Sequence, residues 1–437
     1  MTLPEQRRLP ATSDALLAEM TALHVKDIDL SLERTYRLLE VLGDPHRRLQ
    51  PVIHIAGTNG KGSTLATLRA GLQGAGLKVH TYTSPHLVRF HERIELANET
   101  VSEPQLVDLL QRVLIANDGG PATYFEATTC AAFLGYAEVP ADALLLEVGL
   151  GGRMDTTNVV DTPRLTMITP VALDHQSFLG DTVAEIAAEK AGILKRGVPC
   201  IVSRQETVAE EVIEAHAARL GAPLHVQGQH WHVWEEQGRL VFQDETGLLD
   251  LPRPRLAGPH QIHNAGAAIA ALRVLGHDEA ACEAAVTGAR WPARMQRLAE
   301  GPLQNLLPSG ELWLDGGHNP HAARAMAETL RNLPNDGRPL HLVFALQGGR
   351  DPHAVLAPFA GTAEQLTAVP VPEMGASQPT EEIVSAARAH GIAARAASDV
   401  REALLRIGAD APRARVLIFG SLYLAGAVLR LQEGAGA

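Results

Sequence analysis

The run VIHIAGTNGKGS, residues 52–63, constrains the fold more than any other stretch of this sequence. Residues 52–56 form an apolar run of strand length, and residues 63–73 carry leucines on one side of a predicted helix. A glycine-rich turn between such a strand and such a helix points backbone N–H groups and the positive end of the helix dipole at an anion. Its glycines let the backbone approach phosphate oxygens without a Cβ clash. We therefore predict that a nucleoside triphosphate binds at this turn.

The turn also carries two useful side chains. Lys61 adds positive charge for the phosphates, and the Ser63 hydroxyl can bind a magnesium ion that bridges them. The spelling departs from the usual phosphate loop, GxxxxGK followed by Ser or Thr, because the first glycine comes late and Gly62 separates the lysine from the serine. The alternative interpretation is a glycine-rich turn with a surface lysine. We predict that the nucleoside triphosphate contacts the whole loop: Gly57, Thr58, Asn59, Gly60, Lys61, Gly62 and Ser63.

Strand-like and helix-like segments alternate along almost the whole chain, as is typical of α/β proteins with mostly parallel strands. The stretch GARWPARMQRLAE, near 288–300, breaks this pattern before it restarts. We predict a doubly wound, mostly parallel sheet with the phosphate loop in residues 1–295, and a smaller Rossmann-like α/β domain in residues 296–437. Strands are predicted at 77–83, 143–148, 165–169, 198–203, 223–227, 312–315, 340–346, 365–371 and 415–420, with a hairpin around Gln237-Gly238.

Composition limits the class of protein. The 437 residues include 38 lysines and arginines against 50 aspartates and glutamates, a net charge of −12, which argues against a nucleic-acid binder because such proteins present a basic surface. Three widely spaced cysteines without a CxxC pair indicate reduced thiols. No apolar run is long enough to span a membrane, and the N-terminus lacks the apolar core of a signal peptide. We predict a cytoplasmic monomer without nucleic-acid or membrane partners.

Two further strand ends carry groups that can bind a metal ion. In a doubly wound sheet, ligands bind beyond the carboxyl ends of the strands. Glu147 ends an apolar strand, where a carboxylate is costly unless it is paired or binds a cation. His175 follows another strand within ALDH. We predict that Ser63 and Glu147 bind magnesium; the alternatives are a salt-bridged glutamate and a hydrogen-bonded loop histidine.

The segment TVAEIAAEKAGILKRG contains a lysine that faces inward. Thr182 and Glu185 are spaced as a capping box that begins a helix, and Lys190 falls on the apolar stripe of that helix. Either the side chain snorkels to water, or it is a buried amine with a lowered pKa. A neutral amine of that kind can react with carbon dioxide to form a carbamate, which is a carboxylate able to bind metal.

Eight segments carry a resemblance to a known family: AGTNGKGS, TSPHL, YFE, LEVGLGGRMDTTN, ALDH, EKAGI, QIHNA and DGGHNPHAA. In this order and spacing they resemble the folylpolyglutamate synthase/dihydrofolate synthase family, relatives of the Mur ligases, from about residue 25 to the end of the chain. The resemblance implies an ATP-dependent ligase that joins L-glutamate to dihydropteroate or to a reduced folate through an acyl phosphate, with two Mg²⁺ ions. The alternatives are a Mur-type peptide ligase, a P-loop NTPase or kinase with another acceptor, and a non-catalytic nucleotide-binding module.

The resemblance also implies roles for individual residues. The catalytic residues would be Lys61, His175 and Lys190, and the two magnesium sites would comprise Ser63, Glu147, His175 and carbamylated Lys190. Further contacts with ATP would come from Asn264, Arg294, Asp315 and His318. Contacts with the pterin-bearing substrate would come from Ser84, Pro85, His86, Phe125 and Asp155.

Two segments depart from the family's pattern. The usual GRF is here Ala293-Arg294-Met295. A common GSFH is here Gly420-Ser421-Leu422-Tyr423, so the histidine that ends the family's motif is absent. The role of Arg89 and Arg93, close to TSPHL, stays open between contact with a polyglutamate tail and simple solvation.

Overall fold

The structure is a computed structural model that describes residues 9–23, 30–334, 336–371 and 377–434. Outside these ranges lie residues 1–8, at the start of the N-terminal segment that lacks a signal-peptide core, and residue 25, near which the family resemblance begins. The described part contains three sheets, two of which are built from alternating strands and helices. This arrangement confirms the predicted α/β class.

The predicted strand before the glycine-rich turn lies near the middle of an eight-stranded sheet and is buried at every position. The order is β4-β3-β2-β5-β1-β6-β7-β8, parallel except where β3 pairs with β2 and with β4. The strands are β1 (Val52–Ala56), β2 (Val79–Tyr82), β3 (Ile94–Leu96), β4 (Glu99–Thr100), β5 (Ala143–Glu147), β6 (Leu165–Ile168), β7 (Cys200–Val202) and β8 (Leu224–Val226).

Helices cover both faces of this sheet. They are α1 (Ser13–Thr21), α2 (Glu33–Val41), α3 (Lys61–Gly74), α4 (Glu103–Asn117), α5 (Tyr124–Glu138), α6 (Gln176–Leu179), α7 (Val183–Ala191) and α8 (Thr207–Leu220). Side chains of β5 alternate between two cores: Leu145 packs with α3, whereas Leu144 and Leu146 pack with α4 and α5. The capping box that begins α7 is confirmed, since the Thr182 hydroxyl accepts from the N–H of Glu185 and the Glu185 carboxylate accepts from that of Thr182.

The predicted hairpin belongs to a small antiparallel sheet. Gln237 and Gly238 both have a positive φ, 51° and 75°, which a tight two-residue hairpin turn requires. Trp231 and Phe242 from this sheet pack against the helix that follows it. The elements are β9 (Trp231–Glu236), β10 (Arg239–Asp244), β11 (Gly247–Leu251), α9 (Pro259–Val274) and α10 (Glu279–Gly288).

The third sheet has six strands in the order β12-β13-β17-β14-β15-β16, parallel except for β12 with β13. Its strands are β12 (Gln296–Arg297), β13 (Glu311–Leu314), β14 (Leu340–Phe344), β15 (Ala363–Ala368), β16 (Ala393–Ala396) and β17 (Arg415–Phe419). Its helices are α11 (Pro320–Arg331), α12 (Pro352–Leu356), α13 (Thr380–Ala389), α14 (Val400–Asp410) and α15 (Leu422–Gln432).

Short 3₁₀ helices complete the secondary structure at Pro45–Arg48, Phe90–Arg93, Thr156–Val159, Gln304–Leu306 and Ala357–Phe359. Within the described ranges, none of the helices combines the length and the apolar character that crossing a membrane would require. Cys130, Cys200 and Cys282 are all buried and unpaired.

Candidate active site

The glycine-rich turn between β1 and α3 has a conformation that depends on its glycines. Gly57 and Gly60 have φ values of 148° and 89°, and a Cβ at Gly57 would lie 1.8 Å from the Thr169 hydroxyl oxygen. A Cβ at Gly62 would lie 2.6 Å from Nε1 of Trp291. The unusual spelling of the loop thus follows from its neighbours, because the extra glycine lies where an indole packs against the first turn of α3.

The first turn of α3 leaves backbone donors free for an anion. The first intrahelical hydrogen bond runs from the N–H of Thr64 to the carbonyl of Gly60, so the N–H groups of Lys61, Gly62 and Ser63 precede the hydrogen-bonded part of the helix. The N–H groups of Thr58 and Asn59 are instead used to anchor the loop, since both donate to the carbonyl of Pro170. The turn therefore offers an anion the N–H groups from the start of the helix, as predicted from its pattern.

Helix α9 supports this loop through a residue that was not predicted to lie in the site. Nε2 of Gln261 donates to the Ser63 hydroxyl at 3.3 Å, and Oε1 of Gln261 accepts from Asn264 at 2.9 Å. The predicted nucleotide residue Asn264 therefore contacts the loop in two ways: through Gln261, and directly at Gly60, where a Cβ would lie 2.5 Å from its Oδ1. The only sequence signal for Gln261 was its place as the first letter of QIHNA.

Glu147 lies at the carboxyl end of β5 and is almost completely buried. Its carboxylate accepts one hydrogen bond, from the N–H of Ser84 at 3.3 Å, and no basic group of the described residues lies within 4.0 Å of it. Burial raises the pKa of this carboxyl group, while the positive charges of Lys61 and Arg294 act in the opposite direction. The salt-bridged alternative is wrong, and the buried carboxylate is suited to bind a cation.

His175 follows β6 and immediately precedes α6, with a φ of 51°. Its side chain is 43% exposed, and partial enclosure by the cavity wall lowers the pKa of the imidazole. The ring is therefore neutral near pH 7 and can donate a lone pair to a metal. Lys190 on α7 is 4% exposed, and burial, followed by the charge of Lys61, lowers the pKa of its amine to about 7. No carboxylate of the described chain lies within 4.0 Å of this amine. The buried-amine interpretation of Lys190 is therefore confirmed, and snorkelling to the surface is wrong.

Ser63, Glu147, His175 and Lys190 line the same cavity, where they could offer a magnesium ion donors of different chemical types. Within the described ranges, no group of three or more His, Cys, Asp and Glu side chains is arranged to hold a metal. The set of Ser63, Glu147 and His175 needs a further hard oxygen donor, which a carbamate on Lys190 would supply. The uncompensated charge of Glu147 is the observation that favours a cation here.

A cavity of about 760 Å³ lies between the large sheet and the six-stranded sheet. Every residue predicted to contact ATP or metal lines it. Residues 1–295 contribute Gly57, Thr58, Asn59, Gly60, Lys61, Gly62, Ser63, Glu147, His175, Lys190, Asn264 and Arg294, and residues 296–437 contribute Asp315 and His318.

Asp315 fixes the segment that carries Arg294. Its carboxylate accepts from the N–H groups of Met295 and Gly317, each at 2.7 Å. Ala293 has a φ of 52°, a left-handed conformation that glycine adopts more easily. The glycine of the family's GRF is therefore replaced here at some conformational cost, while the arginine still lines the cavity.

A second, mostly apolar cavity of about 240 Å³ adjoins the first. Four of the five predicted substrate residues line it, namely Ser84, Pro85, Phe125 and Asp155. His86 lines neither cavity. Its Nδ1 accepts from Nε of Arg93 at 2.9 Å, and burial, with the charge of Arg93, lowers the pKa of the imidazole to about 4.

Arg93 takes the place beside the second cavity that was expected for His86. Its guanidinium is buried, lies 5.2 Å from the centre of the Phe90 ring and 5.8 Å from that of Tyr124, and lines the cavity. Arg89 is exposed. Arg93 is therefore not a solvated surface residue, whereas for Arg89 both contact with a polyglutamate tail and simple solvation stay open.

Asp155 is held by a buried relay that begins on β1. The Thr157 hydroxyl donates to Oδ1 of Asp155 at 2.5 Å, so it must accept from Nε2 of His54 at 2.8 Å. The N–H groups of Leu150 and Thr157 also donate to this carboxylate. His54 is thus a supporting residue that was not predicted, because its partner is more than one hundred residues away in sequence.

Comparison with known proteins identifies the family. A sequence profile described as "Dihydrofolate synthetase, C-terminal domain" matches residues 305–431. The dihydrofolate synthase/folylpolyglutamate synthase of Bacillus subtilis (strain 168) is 35% identical over 332 residues, which cover 72% of this chain and 75% of that protein. The chain belongs to the dihydrofolate synthase/folylpolyglutamate synthase family. Proteins of this family are ATP-dependent ligases, so the enzyme class predicted from the sequence is confirmed.

Solved structures of dihydrofolate synthase/folylpolyglutamate synthase proteins have the same fold. E. coli FolC in complex with DHPP and ADP matches with a TM-score of 0.88 at 31% identity, covering 98% of this chain and 100% of that one. A bifunctional folylpolyglutamate synthase/dihydrofolate synthase with Mn, AMPPNP and L-glutamate bound matches with a TM-score of 0.84 at 31% identity, covering 96% and 97%. These matches confirm the predicted combination of a phosphate-loop sheet and a second, smaller α/β sheet.

Proposed function

We propose that this protein joins the α-amine of L-glutamate to the carboxylate of dihydropteroate, giving dihydrofolate, and to a carboxylate of reduced folates, giving folylpolyglutamates. The observation that carries this proposal is the convergence on one cavity of the glycine-rich loop, the buried carboxylate of Glu147 and the buried amine of Lys190. An apolar cavity suited to an aromatic substrate opens beside it. The ligands of the related structures, DHPP, ADP, AMPPNP, Mn and L-glutamate, support the same ligand classes for this chain.

The first step activates the acid. A carboxylate oxygen of the substrate attacks the γ-phosphorus of ATP, the bond from that phosphorus to the β–γ bridging oxygen breaks, and ADP leaves as the acyl phosphate forms. Two anions approach each other, so the protein must neutralise charge and hold the reacting groups in line. Lys61, Arg294 and the first N–H groups of α3 supply positive charge at this point.

Magnesium would be held by the mixed donor set of the site: Ser63, Glu147, His175 and Lys190 as its carbamate. When bound, it supplies additional positive charge to the phosphate oxygens. The chain prepares this set in two ways. Burial leaves the amine of Lys190 partly neutral near pH 7, as carbamate formation requires. The imidazole of the partly enclosed His175 has a lowered pKa and is unprotonated at this pH.

The second step forms the amide. The neutral α-amine of glutamate attacks the acyl carbon, inorganic phosphate leaves from the tetrahedral intermediate, and the nitrogen loses a proton. The two cavities share Ser84, Pro85 and His175, with Gly149 and Leu150. We place the reacting carboxylate at this junction, because a substrate whose ring occupies the apolar cavity would reach the ATP cavity there.

The pterin-bearing substrate would occupy the second cavity. Phe125 offers an aromatic surface, and Asp155 offers a carboxylate that can accept hydrogen bonds from a heterocycle. Arg93 adds a buried positive charge close to the junction. This assignment uses Ser84, Pro85, Phe125 and Asp155 and replaces the direct contact from His86 with one from Arg93.

We further propose that residues 1–295 and 296–437 act as two domains that hold ATP between them. The boundary is supported by β12, which begins at Gln296 and pairs only with the C-terminal sheet. Closure of the two domains would exclude water from the acyl phosphate. We also propose that the protein acts as a monomer in the cytoplasm and has no nucleic-acid partner, in keeping with its net charge of −12.

An ATP-consumption assay tests the proposed function. Purified protein is incubated with Mg²⁺, ATP and L-glutamate, with either dihydropteroate or tetrahydrofolate, and each component is omitted in turn. We expect ADP release that requires both glutamate and one of the acceptors, and a product whose mass is larger by one glutamyl residue. ADP release without glutamate would instead favour an NTPase or kinase, and turnover only with a nucleotide-linked muropeptide would favour a Mur-type ligase.

A further inference from the structure

Asp174 connects the two halves of the molecule directly beside the metal site. It lies after β6, and its carboxylate is 7% exposed. Three groups from the C-terminal half surround it: Nη1 of Arg350 donates to Oδ1 at 2.9 Å, Nδ2 of Asn319 donates to Oδ2 at 3.2 Å, and Nε2 of His318 lies 3.5 Å from Oδ2. The three groups come from two loops, one after β13 and one after β14. The contact therefore needs both loops to be docked against the large sheet.

The same carboxylate holds the backbone of His175. Oδ1 of Asp174, which accepts from Arg350, also accepts from the N–H of His175 at 2.9 Å. His175 has a φ of 51°, a conformation that is uncommon for residues other than glycine. Its imidazole belongs to the proposed metal-binding set, so the position of Asp174 bears on the direction in which that ring points.

The C-terminal groups also contact the phosphate loop. Nδ2 of Asn319, which donates to Asp174, donates to Oδ1 of Asn59 at 3.0 Å as well. Nδ2 of Asn59 lies 3.2 Å from Nδ1 of His321. One cluster of C-terminal side chains therefore touches both loops of the large sheet that are expected to hold ATP and metal.

We propose that Arg350 is a positioning residue that couples docking of the C-terminal half to the orientation of His175, through Asp174. When Arg350 binds the carboxylate, Asp174 is fixed in the position from which it holds the His175 backbone. Without Arg350, Oδ1 of Asp174 loses its charged partner and only Oδ2 is still held, by Asn319 and His318. The oxygen that accepts from the N–H of His175 is then less firmly placed, and the left-handed conformation of His175 is held less tightly. This inference rests on the proposed function insofar as His175 binds the metal.

The test uses the full-length protein with two substitutions of Arg350 and a matched control. Arg350→Met removes the charge and the hydrogen bonds, and Arg350→Lys restores the charge. Arg406→Met removes another arginine–carboxylate pair of the C-terminal half, with Glu402 on α14, that lies outside both cavities. Thermal denaturation of each variant establishes that it is folded.

Two readouts separate positioning from a general structural effect. The first is the affinity for Mn²⁺ in the presence of AMPPNP, and the second is the division of the activity change between kcat and the KM for ATP. For Arg350→Met we expect a Mn²⁺ affinity and a kcat that are each lower by roughly tenfold or more, with a KM for ATP close to that of the wild type. Arg350→Lys is expected to recover part of both losses.

Equal Mn²⁺ affinity in Arg350→Met and Arg406→Met would overturn the coupling, and so would a loss in Arg350→Met confined to the KM for ATP. The Mn²⁺ measurement needs no acceptor substrate. If the wild type bound Mn²⁺ and AMPPNP but made no glutamate-dependent product, the proposed function would fail while the coupling would still be decided by the variants.

Discussion

The ammonium nitrogen of Lys61 donates a hydrogen bond of 3.0 Å to the carbonyl oxygen of Gly57 in the same loop. Within the ranges that the structure covers, no carboxylate lies within 4.0 Å of this ammonium group. A neutral carbonyl holds the side chain over the loop without cancelling its charge. The charge of Lys61 is therefore available to bind phosphate groups, and its removal is the first substitution to test.

Lys61→Met should abolish most of the ligase activity. Removing one cation that stabilises the transferring phosphoryl group is expected to lower kcat/KM for ATP by a factor on the order of 10² to 10³. The measurement is ADP release with glutamate and tetrahydrofolate. Lys78→Met is a matched control, because Lys78 is exposed and lines neither cavity. A Lys61→Met enzyme with more than about a tenth of the wild-type rate would contradict the assigned role.

Glu147→Gln should weaken metal binding without unfolding the protein. The amide keeps the size of the side chain and can still accept from the N–H of Ser84, while the uncompensated buried charge is removed. We expect thermal stability in metal-free buffer at least equal to that of the wild type. The Mg²⁺ concentration for half-maximal activity should rise by roughly tenfold or more. Glu138→Gln, at an exposed pair with Arg112, should change neither quantity; an unchanged Mg²⁺ requirement in Glu147→Gln would exclude this residue as a ligand.

The central strands could be predicted from the sequence because burial on both faces leaves a plain signal. β1 and β5 are short apolar runs that are buried at every position, as strands in the middle of a parallel sheet must be. β12 and β16 could not be predicted, since QR and AARA have no apolar pattern and become strands only by pairing with a neighbouring strand. β11 was missed for a related reason, as it extends a hairpin that was already complete in the sequence pattern.

Some of the site residues could likewise be predicted from the sequence, and others could not. Groups at the ends of parallel strands could be placed together, because those ends share one edge of the sheet. The direction of a loop side chain could not be predicted in the same way: His86 turns away to accept from Arg93, although it is next to Pro85 in the chain. Gln261 and Arg350 were not predicted either, since their partners Ser63 and Asp174 are distant in sequence.

Phe125→Ala should weaken binding of the pterin-bearing substrate without weakening binding of ATP. The ring lines the second cavity and packs so closely on Gly149 that a Cβ there would lie 2.4 Å from it. Loss of this aromatic surface is expected to raise the KM for dihydropteroate or tetrahydrofolate by roughly tenfold to a hundredfold, with little change in the KM for ATP. Phe178→Ala, on a side chain that is 44% exposed, serves as the control. A rise in the KM for ATP of the same size would show that the substitution disturbs both cavities.

Lys190→Ala should lose most of the activity and recover part of it when a short carboxylate such as acetate or formate is added. The added anion can take the place of the carbamate oxygens in the space left by the side chain. Lys195→Ala is the matched control, since Lys195 is also partly buried with a lowered pKa but lines neither cavity. Wild-type turnover of Lys190→Ala would remove the carbamate from the mechanism.

Lys190→Met should lose activity and gain stability, and the gain in the free energy of unfolding should depend on pH. Burial lowers the pKa of Lys190 from its ordinary value of 10.5 to about 7 in the folded protein. Below pH 7 the folded wild type carries a buried charge, so the methionine variant should gain most in the free energy of unfolding there. Between pH 7 and 10 the unfolded wild type binds more protons than the folded protein, so the stability of the wild type rises and the advantage of the variant shrinks.

Thermal denaturation of both proteins from pH 6 to pH 10, in buffer free of metal and bicarbonate, measures this difference. Lys78→Met provides the comparison, because Lys78 is exposed and its substitution removes no buried charge. A stability advantage of Lys190→Met that did not change with pH would mean that the amine is not titrating with a lowered pKa. Little of the amine would then be neutral near pH 7, and carbamate formation would be disfavoured, since only the unprotonated nitrogen can attack carbon dioxide.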